Sequence, residues 1–163
     1  MNVGASTPEE AGLYFSWGNT EGHEEGSGYD FSLATYEATA AAAIDSNLSL
    51  EQDMARANLG EPWRMPTHEE FQELYDNCTC EWTTLNGTNG MLFTSDINGK
   101  TVFFPAAGIF DETSLDDRGS GGYYWSSSYY SAIEAGGLDF NSSDADPELI
   151  GRRRCGFSVR AIQ

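Results

Sequence analysis

Pro66-Thr-His-Glu-Glu-Phe-Gln-Glu-Leu-Tyr-Asp-Asn-Cys78 is the stretch on which the fold turns. Thr67 followed three residues later by Glu70 is a capping box, in which hydroxyl and carboxylate each accept from a backbone N–H that a helix start leaves open. Phe71, Leu74, Tyr75 and Cys78 then recur at helical spacing and predict a core-facing stripe. Glu69, Glu70 and Glu73 fall in the first turns, where the helix dipole favours negative charge, so they read as helix-start residues and not as catalytic acids.

Working outward, Ser49-Leu-Glu-Gln52 is a second capping box, and Gly60 closes an earlier helix. Downstream the pattern changes. Asn86-Gly87, Asn89-Gly90 and Asn98-Gly99 are turn dipeptides, and they bracket Met91-Leu-Phe-Thr94 and Thr101-Val-Phe-Phe104, which predicts a β-hairpin ending at Pro105-Ala-Ala-Gly108. An acidic loop follows, with Asp111, Glu112, Asp116 and Asp117. Short strands are expected at Tyr123–Tyr130, Gly137–Phe140 and Gly156–Arg160, and a first one within Gly12–Gly18 ahead of the solvated loop Glu21–Gly28. Two helices followed by a meander of short antiparallel strands with long loops is an α+β domain, here residues 1–163.

The charge is lopsided: 26 acidic residues against 8 Lys and Arg give −18. Such a field repels phosphate backbones and anionic bilayers, so nucleic acid is not an expected partner. Membrane insertion is not expected either, because no apolar stretch reaches bilayer length. Arg152, Arg153, Arg154 and Arg160 make up half of the basic residues, a local basic spot near the end of the chain. Cys78, Cys80 and Cys155 form no disulfide framework and read as reduced thiols. Met1-Asn-Val-Gly-Ala5 carries no signal-peptide pattern. His23 beside Glu24 and Glu25 sits in a Gly-flanked loop, a poor cage for a metal. Neither a nucleophile with a base nor a recognisable acid pair is present, so no enzyme is expected. Nor is a cofactor, although Asp116, Asp117, Asp144 and Asp146 could supply oxygen ligands to a structural calcium ion.

A set of segments runs nearly end to end: Met1–Glu10, Tyr14-Phe-Ser-Trp-Gly18, Trp63-Arg-Met-Pro-Thr67 through Leu74, Asn77-Cys-Thr79 with Trp82-Thr-Thr84, Asn98-Gly99, Phe104-Pro-Ala-Ala-Gly108, Tyr124-Trp-Ser-Ser127 and Gly156-Phe-Ser-Val-Arg160. In that order they resemble the Fibrobacter succinogenes major-paralogue type domain, common in Bacteroidales and built on the C-type-lectin fold. Family members usually begin with an extra strand ahead of the segment matching Met1. In a lectin-type fold that strand pairs with the C-terminal one, so either the first residues here take its place or the chain is a fragment.

Some members of this family resemble surface lipoproteins. Others are the variable proteins of diversity-generating retroelements, often in phages, in which adenines of Asn codons in the last part of the gene are rewritten. That resemblance implies a variable region over 123–160 and a receptor- or adhesin-type surface. Its ligand-binding residues would be Tyr129, Tyr130, Ala132, Ile133, Glu134, Gly136, Asp139, Asp144, Glu148, Leu149, Ile150, Arg152 and Arg154. Ala132, Ile133, Gly136, Gly137, Asp139, Asp144, Leu149, Ile150, Gly151, Arg152, Arg154 and Cys155 can each be reached from an Asn codon by changing adenines alone; Glu134 and Glu148 cannot. Glu148–Cys155 shows no clear alternation, which is expected of a surface shuffled for binding and not of a core strand. The implied partner is a protein or glycan on a cell surface, met from a virion or cell surface by several copies acting together. The alternative is a calcium-assisted glycan-binding or structural domain of a bacterial surface protein.

Overall fold

A computed structural model describes residues 1–163 as an α+β domain. Three α-helices come early: α1 (Leu33–Glu37), α2 (Met54–Leu59) and α3 (His68–Asp76), with a short 3-10 turn at Ala40–Ala43. α3 starts as the sequence predicts, with both halves of the Thr67–Glu70 capping box formed. Glu70 also takes a two-pronged contact from Arg64, at 2.7 and 2.6 Å, which ties the helix start to the incoming chain.

The earlier helix does not begin at Ser49. Ser49–Gln52 is a turn, and the cap of α2 is the buried Asp53, whose Oδ1 accepts from Arg56 N and whose Oδ2 accepts from Met65 N. One carboxylate thus serves a helix start and a distant strand-like segment, and local spacing does not reveal such a double role. α1 was also missed, being a single five-residue turn capped by Ser32. The predicted count of two helices therefore becomes three.

The strands form three sheets. The largest has the order β1 (Tyr14–Phe15), β10 (Phe157–Ser158), β7 (Gly121–Tyr129), β8 (Glu134–Asn141) and β9 (Ala145–Arg152). A second contains β2 (Cys78–Leu85), β3 (Thr88–Ser95) and β4 (Thr101–Pro105), and a small hairpin joins β5 (Ile109–Asp111) to β6 (Ser114–Asp116). The predicted hairpin is present, with Met91 opposite Phe104 and Thr94 opposite Thr101. β2 was not predicted. Cys78, assigned to the helix stripe, instead opens β2, and Asn86-Gly87, both at positive φ, closes the β2–β3 turn. β5 and β6 lie in the stretch expected to be an acidic loop. The meander is also not wholly antiparallel, because β10 runs parallel to β7, with Ser158 beside Tyr124.

The two ends of the chain meet. β1 pairs antiparallel with β10, Asn2 bridges Arg160, and Val3 N donates to Val159 O at 2.9 Å. The large sheet separates two cores. On one face Trp125, Ala135 and Phe157 pack with Trp17, Tyr36, Met54 and Met65. On the other, Tyr124, Leu138 and Phe140 pack with Phe71 of α3 and with Met91, Phe93 and Phe104 of the second sheet. Covered on both faces, β7 and β8 are buried along most of their length, with Ser126 among the buried positions. No helix is long and apolar enough to cross a membrane.

Candidate functional site

β7 delivers the chain to one edge of the molecule. Consecutive side chains are anchored on its two faces: Tyr124 OH donates to Pro105 O at 2.7 Å and Trp125 Nε1 donates to Phe15 O at 2.7 Å. Beyond Tyr129 the chain leaves the sheet as the loop 130–133, returns in β8, turns at 142–144 and runs out along β9, the edge strand.

β9 does alternate. Ala145, Pro147 and Gly151 are buried and Leu149 packs on the Trp125 core, whereas Asp146, Glu148, Ile150 and Arg152 are exposed. The sequence hides this period because the inward positions are a proline and a glycine as well as apolar residues. The expected absence of alternation across 148–155 is therefore corrected. Leu149 turns inward opposite Gly137, and Ile150, opposite Gly136, turns outward with 38% of its surface exposed.

The loop is fastened from beneath. Ser131 Oγ accepts from the backbone N–H groups of Ile133 and Glu134, and Arg153 N donates to Ile133 O at 3.0 Å. The Arg153 side chain is fully buried. Its guanidinium lies between the rings of Trp17 and Tyr129, at 4.3 and 4.8 Å, and donates to Ile44 O at 2.9 and 2.8 Å and to Ala132 O at 3.3 Å. This cation has no carboxylate partner. Carbonyl dipoles and ring faces replace its water instead.

Three adjoining concavities follow the edge. One, of about 470 Å³, is lined by Ala132, Ile133, Glu134, Arg152 and Arg154 against Leu33 and Tyr36 of α1. A second, of about 350 Å³, brings Tyr129, Tyr130, Gly136, Glu148 and Ile150 together with Asn47, His68 and Ser128. A third, of about 610 Å³, collects Asp139, Asp144, Asp146 and Glu148 beside Gln72 and Tyr75. Every residue expected at the binding surface except Leu149 thus lines one of the three. They are not equally free. Tyr130 and Ile133 are 60% and 66% exposed, but Gly136 is buried, Tyr129 leans on Trp17, and Arg154 is largely covered, paired with Asp111.

The residues that sequence reasoning missed come from elsewhere in the chain. Ser128 Oγ accepts from His68 N at the start of α3, and Asn47 Oδ1 accepts from Tyr129 N at 2.8 Å. Neither contact has a local signal. Arg153 was hidden in a run of three arginines whose other members face outward or pair with acid.

The third concavity holds four carboxylates and no base, and burial, with Asp146 adding to it, pushes the Asp139 carboxyl up to about 6. The folded state then binds more proton than the unfolded one between the ordinary Asp value and pH 6. Stability is present in acid and lost as pH rises through that window. Asp139→Asn is expected to raise stability at pH 7.5 by about 1 kcal/mol, the full shift being discounted for partial solvation, with the gain shrinking as pH falls to 5. Melting curves at the two pH values check this; an equal gain at both would contradict it.

Elsewhere, His23 stacks on Tyr29 at 3.4 Å, and burial lowers its pKa. Asp116 accepts from Ser114 Oγ and Asp117 from Tyr123 OH, while Asp144 and Asp146 lie by β9. No three acidic, cysteine or histidine side chains converge on one point. Burial raises all three thiols above their ordinary pKa. No family model, no curated protein and no solved structure matches this chain.

Proposed function

We propose that the chain is a non-enzymatic ligand-binding protein of receptor or adhesin type, displaying a diversified surface on a C-type-lectin-like scaffold, and that a diversity-generating retroelement in a phage or gut bacterium varies it. The observation that carries this reading is the division along 129–154. Most positions expected to vary line open concavities, whereas Leu149 and Gly151, which were also expected to vary, turn inward with Ala135 onto the Trp125 core. A rigid base with changeable side chains above it suits binding better than chemistry. Pairing of the first strand with the last supports the lectin-type scaffold. Thiols held protonated by burial favour inert cysteines over redox or copper chemistry.

The ligand sits on a cell surface, and presentation of several copies compensates for a weak single site. Ile150→Ala combined with Arg152→Ala is expected to reduce binding of multimerised protein to ligand-bearing cells at least about tenfold, while Tm moves by less than about 3 °C. A large fall in Tm, or unchanged cell binding, would oppose the reading. Sequencing the gene across its natural population gives a second test, with adenine-derived changes expected at outward positions of 129–155.

A further inference from the structure

The last strand of a sheet leaves a row of backbone groups without partners, and in the large sheet that strand is β9. Leu149 and Gly151 lie opposite Gly137 and Ala135 of β8. Arg153 N donates to Ile133 O at 3.0 Å, which sets the phase of the ladder, so residues 149 and 151 direct their N–H and C=O groups at β8. A trans peptide points its N–H and C=O in opposite directions. Glu148 O, Ile150 N, Ile150 O and Arg152 N therefore point away from β8. The β8 carbonyls opposite are engaged elsewhere: Glu134 O accepts from Ser131 N, and Gly136 O from Ser126 Oγ. None of the four edge groups has a partner elsewhere in the chain. The other two groups on this edge do, for Glu148 N donates to Asp146 Oδ1 at 2.8 Å and Arg152 O accepts from Cys155 N at 2.9 Å.

The open set is thus two donors and two acceptors, and the exposed side chains along it read negative, apolar, positive at Glu148, Ile150 and Arg152. This set complements itself. An antiparallel copy centred on Ile150 brings Ile150 N to the partner's Ile150 O and Arg152 N to the partner's Glu148 O, and the two-fold axis makes each bond twice. The groups left over by that register, Glu148 N and Arg152 O, are the two already satisfied. The same register sets the Arg152 guanidinium beside the partner's Glu148 carboxylate on either side of a central Ile150 pair. Arg152 is free for this: Arg56, Arg64, Arg118 and Arg154 have acidic partners within the chain, and Arg152 has none.

We propose that two copies of the chain join through their β9 edges, as an antiparallel pair centred on Ile150 that continues one five-stranded sheet into the other. Two features keep the pair weak. Pro147 has no N–H and Glu148 N is capped by Asp146, so pairing does not extend past 148. Each copy also carries −18, and the two repel until salt screens them. So short an interface falls below the size of a stable dimer, which sets Kd at about 0.5 mM in about 0.3 M salt. Copies crowded on one surface would still pair. The biological meaning rests on the receptor reading, because pairing joins two outward faces and doubles the valency; the measurement itself does not rest on it.

The test is an NMR dilution series of ¹⁵N-labelled protein from about 1 mM to about 0.05 mM in about 0.3 M salt, with sedimentation of the same samples. The Ile150 and Arg152 amide signals are expected to shift with concentration as the sedimenting mass rises towards that of a dimer. Arg152→Glu sets acid against acid and Glu148→Arg sets base against base, and each weakens association about tenfold. Mixed one to one, these two variants regain both ion pairs and form a heterodimer about as tight as the parent pair. A chain carrying both exchanges associates like the parent. A monomer at every concentration, shifts confined to another surface, a single variant that associates undiminished, or a mixture and a double exchange that both stay monomeric would each overturn the proposal. If the chain stays monomeric while the Ile150/Arg152 alanine variant, held as a multimer, loses cell binding, edge pairing falls and the receptor reading stands. If edge pairing holds while that multimer binds cells normally, the reverse is true.

Discussion

Arg153→Ala is expected to destabilise the domain by about 3–4 kcal/mol, lowering Tm by roughly 10 °C. The guanidinium fills the space between Trp17 and Tyr129 and satisfies the Ile44 carbonyl through two nitrogens. Alanine leaves a void and a carbonyl without a donor, and each defect costs free energy. It also releases the loop, because the same group donates to Ala132 O. Arg153→Met keeps the stem between the two rings but loses the donors, so about half of the stability should return. Thermal melts of both variants check this. Loss of less than about 1 kcal/mol in the alanine variant would mean that the loop stands without the cation.

Gly151→Val should cost about 3 kcal/mol despite lying among positions that adenine change alone can reach. A Cβ there would fall 2.7 Å from the Phe157 ring and 3.0 Å from Trp125. Those rings stack at 3.9 Å and Trp125 is also held by its bond to Phe15 O, so neither can yield easily. Arg152→Val, one residue later and facing out, should change stability by less than about 0.5 kcal/mol. The contrast between adjacent positions is the useful result, and denaturant midpoints for the pair read it directly. A tolerated valine at 151 would mean that β9 is far looser than its pairing with β8 implies.

How much of this was legible beforehand differs from element to element. Thr67 and Glu70 announce α3 because both partners of the cap lie within four residues, and the Met91–Thr94 and Thr101–Phe104 hairpin is flagged by its asparagine-glycine turns. Asp53 was not legible as a cap, since half of its role is a bond to Met65 N. β9 was invisible for a different reason: Pro147 and Gly151 occupy inward positions where a periodic strand would show branched apolar residues. The edge residues 130–134 and 148–152 were anticipated as a surface from the resemblance alone. Which of them face outward depended on register, and a shift of one residue would have exchanged Leu149 with Ile150. Arg153 shows the same limit, for it sits in a run of arginines that reads as solvated charge, yet it is one of the most deeply buried side chains.

A complete single-substitution scan of residues 129–155, read by protease resistance of the folded protein, tests the division of labour most directly. Tyr130, Ile133, Glu134, Glu148, Ile150 and Arg152 should accept nearly any side chain, while Ala135, Gly137, Leu149, Gly151, Arg153 and Cys155 should accept few or none. Outward positions that prove as intolerant as their inward neighbours would contradict the picture of a changeable surface on a fixed base.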